Sequence, residues 1–137
     1  MKLLIAALLL FTWFDAEAGD ERVAIESTLM DYIDGTSYNN RSQIDAAFHP
    51  GANLYLEKKD EPLWTVPISQ YRSWFNTSNQ GKFNGRIGEI LNIDVEGTIA
   101  TAKVEILIPK NHQRYIDMFL LKKLDGHWQI LSKSALP

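Results

Sequence analysis

Asp117 is the residue with the most chemistry within reach. On a strand it shares a face with Phe119 and Leu121 and, across a tight hairpin, with Trp128 and Ile130, so its carboxyl lies beside a mostly apolar surface. Desolvation there penalises the charged form and favours an acid or hydrogen-bond donor. The alternative is a structural strand-end carboxylate that pairs with Ser132, Ser134 or a nearby Lys or Arg. Tyr32, Tyr55, Trp64, Tyr71, Trp74 and Trp128 offer more flat apolar area than a small core needs. Trp128 is assigned to the core, whereas Tyr32, Tyr55, Tyr71 and Trp74 are candidates to line a pocket for a flat, partly apolar ligand. His49 precedes Pro50, a position held in extended geometry, where it can close the second helix or touch a ligand. His112 and His127 fall in polar turns. Three histidines without paired spacing, and no cysteine, provide neither a metal-ligand set nor a thiol nucleophile. With no glycine-rich phosphate loop and no serine nucleophile elbow either, no metal and no cofactor are expected.

The elements that must position these residues follow from periodicity. From Asp20 to Asp34, Ile25, Leu29 and Ile33 recur at four-residue spacing, which predicts an amphipathic helix ending near Gly35. Ser42 is the expected N-cap of a second, short helix carrying Ile44, Ala47 and Phe48, stopped by His49-Pro50. Residues 52–57 alternate as a strand, 63–66 return as another, and a third helix carries Tyr71, Trp74 and Phe75. Beyond Gly81 the chain reads as strand. Phe83, Ile87, Leu91, Ile93 and Val95 are apolar on odd positions; Ala100, Ala102, Val104, Ile106 and Ile108 on even ones. A two-residue turn at Glu96-Gly97 would set Ile93 opposite Ala100, with both apolar sets on one side. Asp125-Gly126 predicts a second hairpin that pairs Lys123 with Trp128, Leu121 with Ile130, Phe119 with Ser132 and Asp117 with Ser134. The opposite face, with Met118, Leu120, Leu124 and Leu131, is nearly as apolar, so two faces compete for the interior and the outer one invites a homodimer through the sheet. Helices first and then long antiparallel strands give an α+β fold, cone-shaped, with the N-terminal helices packed on a curved antiparallel sheet.

A length of 137 residues and 45% hydrophobic composition suit one compact core. A formal charge of -3 argues against the clustered positive surface that nucleic acid requires, so no nucleic-acid partner is expected. Met1-Lys2, an apolar run to Phe14 and an Ala16-Glu17-Ala18 end resemble a cleaved export signal over residues 1–18. The run is shorter than the roughly 20 apolar residues a membrane span needs. Residues 19–137 are then a secreted or periplasmic domain with no membrane attachment after cleavage, and about 120 residues can build a sufficient core without disulfides.

Three strings place the chain beside a known family: Ala47-Phe48-His49-Pro50-Gly51-Ala52, Tyr115-Ile116-Asp117, and residues 120–130 with their closing strand to Lys133. They resemble the nuclear transport factor 2-like superfamily, which includes SnoaL-like proteins and ketosteroid isomerase, and in particular its branch catalogued as "Putative lumazine-binding". The resemblance implies a cone-shaped fold with an interior pocket. It also implies that the isomerase's oxyanion tyrosine corresponds to Tyr32 and its proton-donating aspartate to Asp117. The isomerase's general base would fall near Leu56, an alkyl side chain that cannot take a proton; Glu57 replaces it only if the strand register shifts, because neighbours point to opposite faces.

Three functions are consistent with these residues. The first is an exported small-molecule-binding domain for an apolar or aromatic compound, with Tyr32, His49, Tyr55, Tyr71, Trp74 and Asp117 as ligand contacts. The second is a cofactor-free isomerase, dehydratase or cyclase using Tyr32 and Asp117 as catalytic groups. The third is a structural dimerisation module.

Overall fold

The computed structural model describes the side chains of residues 17–137 and the backbone from residue 2; the expected export signal falls almost wholly outside the residues described in full. Among the described residues no helix is long and apolar enough to cross a membrane. Helix α1 (Lys2–Ser37) buries Ile25, Leu29, Tyr32 and Ile33. It continues past Gly35, the expected stop. A Cβ at that position would come within 2.9 Å of Ile44, so glycine is needed there for close packing of the second helix. The chain instead turns at Asn39, which adopts φ +54°, while the Asn40 N–H donates to the Gly35 carbonyl at 2.8 Å. These two features form a Schellman closure. Asn40 then caps α2 (Arg41–Ala47) by accepting from the Gln43 N–H at 3.2 Å. The expected cap, Ser42, lies inside the helix and donates to Asn40 Oδ1 at 2.8 Å. An asparagine two residues upstream already had the extended backbone that a cap requires.

The remaining elements are β1 (Phe48–Lys58), β2 (Glu61–Pro67), α3 (Ile68–Ser73), β3 (Ile87–Glu96), β4 (Ile99–Ile108), β5 (Gln113–Leu124) and β6 (His127–Leu136). They form one six-stranded sheet in the order β2-β1-β6-β5-β4-β3. β1 and β6 run parallel and the other neighbouring strands antiparallel, so the sheet is mixed, and helices cover one of its faces in an α+β arrangement. The core joins Ile25, Leu29 and Ile33 of α1 to Leu54, Ile106, Leu121 and Ile130 of the sheet.

Two register expectations need correction. The first hairpin turns at Gly97-Thr98, not Glu96-Gly97, so Glu96 faces Ile99 and Ile93 faces Ala102. A shift of two keeps Ile93, Ala100 and Ala102 on the inner side, because side-chain direction repeats every second residue. The register of β3 also breaks between Ile90 and Asn92. An irregularity of this kind adds a residue and reverses the alternation, so Ile87 and Leu91 are exposed while Gly88 and Ile90 point inward. Gly88 suits the inward position because a Cβ would lie 2.7 Å from Ile33 Cγ2. Phe83 lies before the strand, exposed, with its ring 5.6 Å from that of Tyr38.

The second hairpin turns at Asp125-Gly126, with φ +49° and +79°, the signs a type I′ turn requires. Lys123 pairs with Trp128 and Leu121 with Ile130 as expected. Beyond them the register shifts, because Leu131 is an extra residue on β6: Leu120 pairs with Ser132, Phe119 with Lys133 and Asp117 with Ala135. The expected pairs Phe119–Ser132 and Asp117–Ser134 are therefore each displaced by one.

Candidate functional site

The extra residue at Leu131 decides which side chain joins Asp117 inside. Regular alternation from Trp128 and Ile130 would turn Ser132 and Ser134 inward; after the bulge, Lys133 points inward. Asp117 is 1% exposed, Lys133 4% and Tyr32 0%. The Tyr32 hydroxyl donates to Asp117 Oδ2 at 2.5 Å. Lys133 Nζ donates to the same carboxylate oxygen at 3.2 Å and to the Tyr32 hydroxyl at 3.3 Å. Its ammonium also lies 5.1 Å from the Tyr71 ring centre and 5.3 Å from that of Tyr32, within cation–π range. The carboxylate that the sequence places among apolar residues thus has a cationic partner delivered by the bulge. A buried charge pair of this kind needs its hydrogen bonds completed, and Tyr32 supplies one of them.

Arg86, just before β3, approaches the same cluster. Its Nη2 donates to the Tyr32 hydroxyl at 3.4 Å, while its Nε is buried with no hydrogen-bond partner among the described residues. Burial pushes the Tyr32 phenol well above its ordinary pKa, and the nearby Tyr71 and Asp117 oxygens add to the effect, so Tyr32 is a neutral donor at physiological pH. For Arg86, burial acts to lower the pKa, but the Tyr32, Tyr71 and Asp117 oxygens outweigh it and hold the guanidinium above its usual value.

Above this cluster is a cavity of about 290 Å³ whose floor includes Asp117, Lys133 and Arg86 and whose walls include Trp64, Tyr71, Trp74 and Phe75. Trp64 and Trp74 stack with ring centres 5.6 Å apart, and the Tyr71 ring meets Trp74 edge-on at 5.2 Å. Trp74 remains 47% exposed, which places it at the mouth. Leu56, the position to which the resemblance assigns a catalytic base, lines the cavity as an alkyl group; Glu57, at a register shift between Leu56 and Lys58, lines it as well. A wider groove of about 720 Å³ runs between α1 and the β5–β6 turn. Its Glu21 is already bonded to Lys123 and to the Trp128 indole, so it lacks the convergence of unspent buried polar groups found in the smaller cavity. Among the described residues no group of three His, Asp or Glu side chains could hold a metal.

Of the residues singled out in the sequence, Tyr71, Trp74 and Asp117 meet at this cavity, and Tyr32 lies directly behind its floor. His49 and Tyr55 do not. The His49 ring accepts the Gly51 N–H at 3.0 Å, and Tyr55 points to the outer face, 40% exposed. Lys133 and Arg86 are the groups that alternation alone missed. The adjacent apolar pair Ile130-Leu131 was the available sign of a bulge; nothing local marks Arg86.

The sequence profile of the family described as "Putative lumazine-binding" matches residues 20–134. The chain belongs to that family. Among solved structures, this NTF2-like domain is similar to an NTF2-like protein of unknown function from Methylobacillus flagellatus KT, at 32% identity and TM-score 0.72, covering 85% of this chain and 90% of that one. It is also similar to an NTF2-like protein of unknown function from Shewanella baltica OS155, at 25% identity and TM-score 0.74, covering 86% and 95% of the two chains. A third, from Silicibacter pomeroyi DSS-3, shares 17% identity and shows the fold alone, with TM-score 0.75 and 87% and 97% coverage. No curated protein matches the chain.

Proposed function

We propose that this NTF2-like domain is an exported small-molecule-binding protein whose ligand enters the cavity between Trp74 and the Asp117–Lys133 pair. The carrying observation is the convergence of four buried or half-buried polar side chains under aromatic walls. An apolar body with a few placed polar groups is the usual composition of a ligand site. The cavity lies at the small end of the roughly 300–1,000 Å³ typical of such sites, which suits a compact, flat molecule. The family's description names lumazine, a fused planar heterocycle, and a molecule of that shape fits this reading. Thermal unfolding against a panel of flat heterocyclic and aromatic compounds tests it. A ligand at 100 times its Kd adds about 2.7 kcal/mol, and a panel without any stabilising compound would defeat the proposal.

A second reading is favoured by Glu57. A register shift brings this carboxylate to the cavity beside the position expected for a base. In an isomerase, dehydratase or cyclase, Glu57 would take the proton while Arg86, which lines the cavity, stabilises the developing oxyanion; Tyr32, whose own proton is donated to Asp117, would act through that carboxylate. Turnover that survives Glu57→Gln would remove this reading.

Two further parts of the proposal concern the setting. Residues 1–18 direct export, so the N-terminus of the exported protein should begin at Gly19. Met118, Leu120 and Ile99 are exposed on the outer sheet face and support a homodimer across it. Leu120→Lys should shift the sedimenting species from dimer to monomer.

A further inference from the structure

The floor of the cavity carries more positive than negative charge. Arg86 and Lys133 face a single buried carboxylate, Asp117, and the Tyr32 phenol remains neutral. The four groups also share their hydrogen bonds unequally. Asp117 Oδ2 accepts from both Tyr32 and Lys133, whereas Arg86 has only a 3.4 Å contact to the Tyr32 oxygen. Its Nε, removed from water, has no acceptor among the described residues. A buried donor without a partner is rare in folded proteins, and one on a charged group is especially costly. Arg86 borders the cavity, so an acceptor can reach the guanidinium from that side. Glu57, the other carboxylate of the lining, is solvent-exposed and belongs to the rim.

We infer that the ligand carries an anionic oxygen group, a carboxylate or an acidic enolate, which binds Arg86 while its planar body lies against Trp74 and Tyr71. Two features support this class over a neutral one. A planar guanidinium offers paired N–H donors in the geometry of two carboxylate oxygens, and the Arg86 guanidinium is engaged here by the single long contact to Tyr32. A charge-assisted bond in a site shielded from water is also stronger than the same bond at the surface. Lys133 is the lesser candidate for this role, because its charge is offset by Asp117 and two of its three N–H donors are engaged by Asp117 and Tyr32. The inference rests on the binding reading above and adds the chemistry of the bound group.

The test compares 2-naphthoate with its neutral isostere 2-naphthamide, each titrated into the full-length domain at pH 7 and followed by calorimetry, beside a set of other neutral aromatic compounds. The expected result is at least tenfold tighter binding of the carboxylate. That preference should disappear in Arg86→Gln and be partly retained in Arg86→Lys, with folding of both variants checked by their melting curves. Equal affinities for acid and amide, or binding of neutral aromatics alone, would overturn the anionic ligand and leave the pocket standing. An undiminished preference in folded Arg86→Gln would overturn the role of Arg86. Binding by none of these compounds would count against both the inference and the binding reading. Should Arg86→Gln fail to fold, the acid-to-amide ratio of the unmodified protein and of Arg86→Lys decides the matter.

Discussion

The two ends of the interior are built on the same pair of strands, yet at one the inward side chains pack against each other, with the wider groove lying outside them along α1, and at the other they border a cavity. Near the Asp125-Gly126 turn, Leu121, Trp128 and Ile130 pack against Ile25 and Leu29, all buried. The polar atoms there are satisfied locally: the Trp128 indole donates to Glu21 at 2.5 Å, and the Thr28 hydroxyl donates to the Trp128 carbonyl at 3.0 Å. Past Leu131, the same strands present Asp117 and Lys133 beneath an aromatic-walled cavity. One added residue separates the two environments. Without it, serines would face inward and Asp117 would lack its charged partner, so the bulge is a means of placing a lysine in the site.

The largest effects of substitution are expected at the polar end. Lys133→Met leaves Asp117 buried and unpaired, and should cost about 3–5 kcal/mol in denaturant unfolding; adding Asp117→Leu should restore much of that loss. A cost below about 1 kcal/mol for Lys133→Met would mean that the pair is hydrated. At the packed end, Leu121→Ala should cost about 2–5 kcal/mol through cavity formation while leaving ligand affinity unchanged. Trp74→Ala should do the reverse. Because Trp74 is largely exposed, its loss should lower stability by about 1 kcal/mol or less, while affinity for an aromatic compound falls at least tenfold.

These contrasts also separate what was legible in the sequence from what was not. The four-residue spacing of Ile25, Leu29 and Ile33 and the Asp125-Gly126 turn each rest on one local rule, and the helix face and the second hairpin followed. The bulge at Leu131 and the irregularity at Leu91 were not legible, because alternation predicts direction only while the register is regular. Asp117, Tyr71 and Trp74 could be placed near one another from their strands and helices. Lys133 required the bulge, and Arg86 required the path of a loop with no periodicity. The parallel pairing of β1 with β6 brings together segments more than 70 residues apart, which no local pattern records.

Smaller effects should appear in the pH dependence of stability, with opposite signs at the two ends. Glu21 is held below its ordinary pKa, first by its hydrogen bond with Lys123 and then by that from Trp128. Its contribution is therefore present above the glutamate range of about 4.3 and lost as pH falls through it to the lower folded value. Glu21→Gln should flatten this acid limb. Tyr32 is held above its ordinary pKa by burial, so its contribution is present below about 10 and lost as pH rises beyond that value, where the unfolded chain ionises first. Tyr32→Phe should flatten the alkaline limb.

The most direct test of a binding cavity at one end only uses the indole N–H signals of Trp64, Trp74 and Trp128 in a 15N-labelled sample, titrated with whichever of 2-naphthoate and 2-naphthamide binds more tightly. Trp64 and Trp74 line the cavity, whereas Trp128 packs at the other end, beside the wider groove, and reports any binding there. Saturable shifts of Trp64 and Trp74 with Trp128 unmoved are predicted. A shift of Trp128 with the other two unmoved, or no shift of any of the three, would contradict the account.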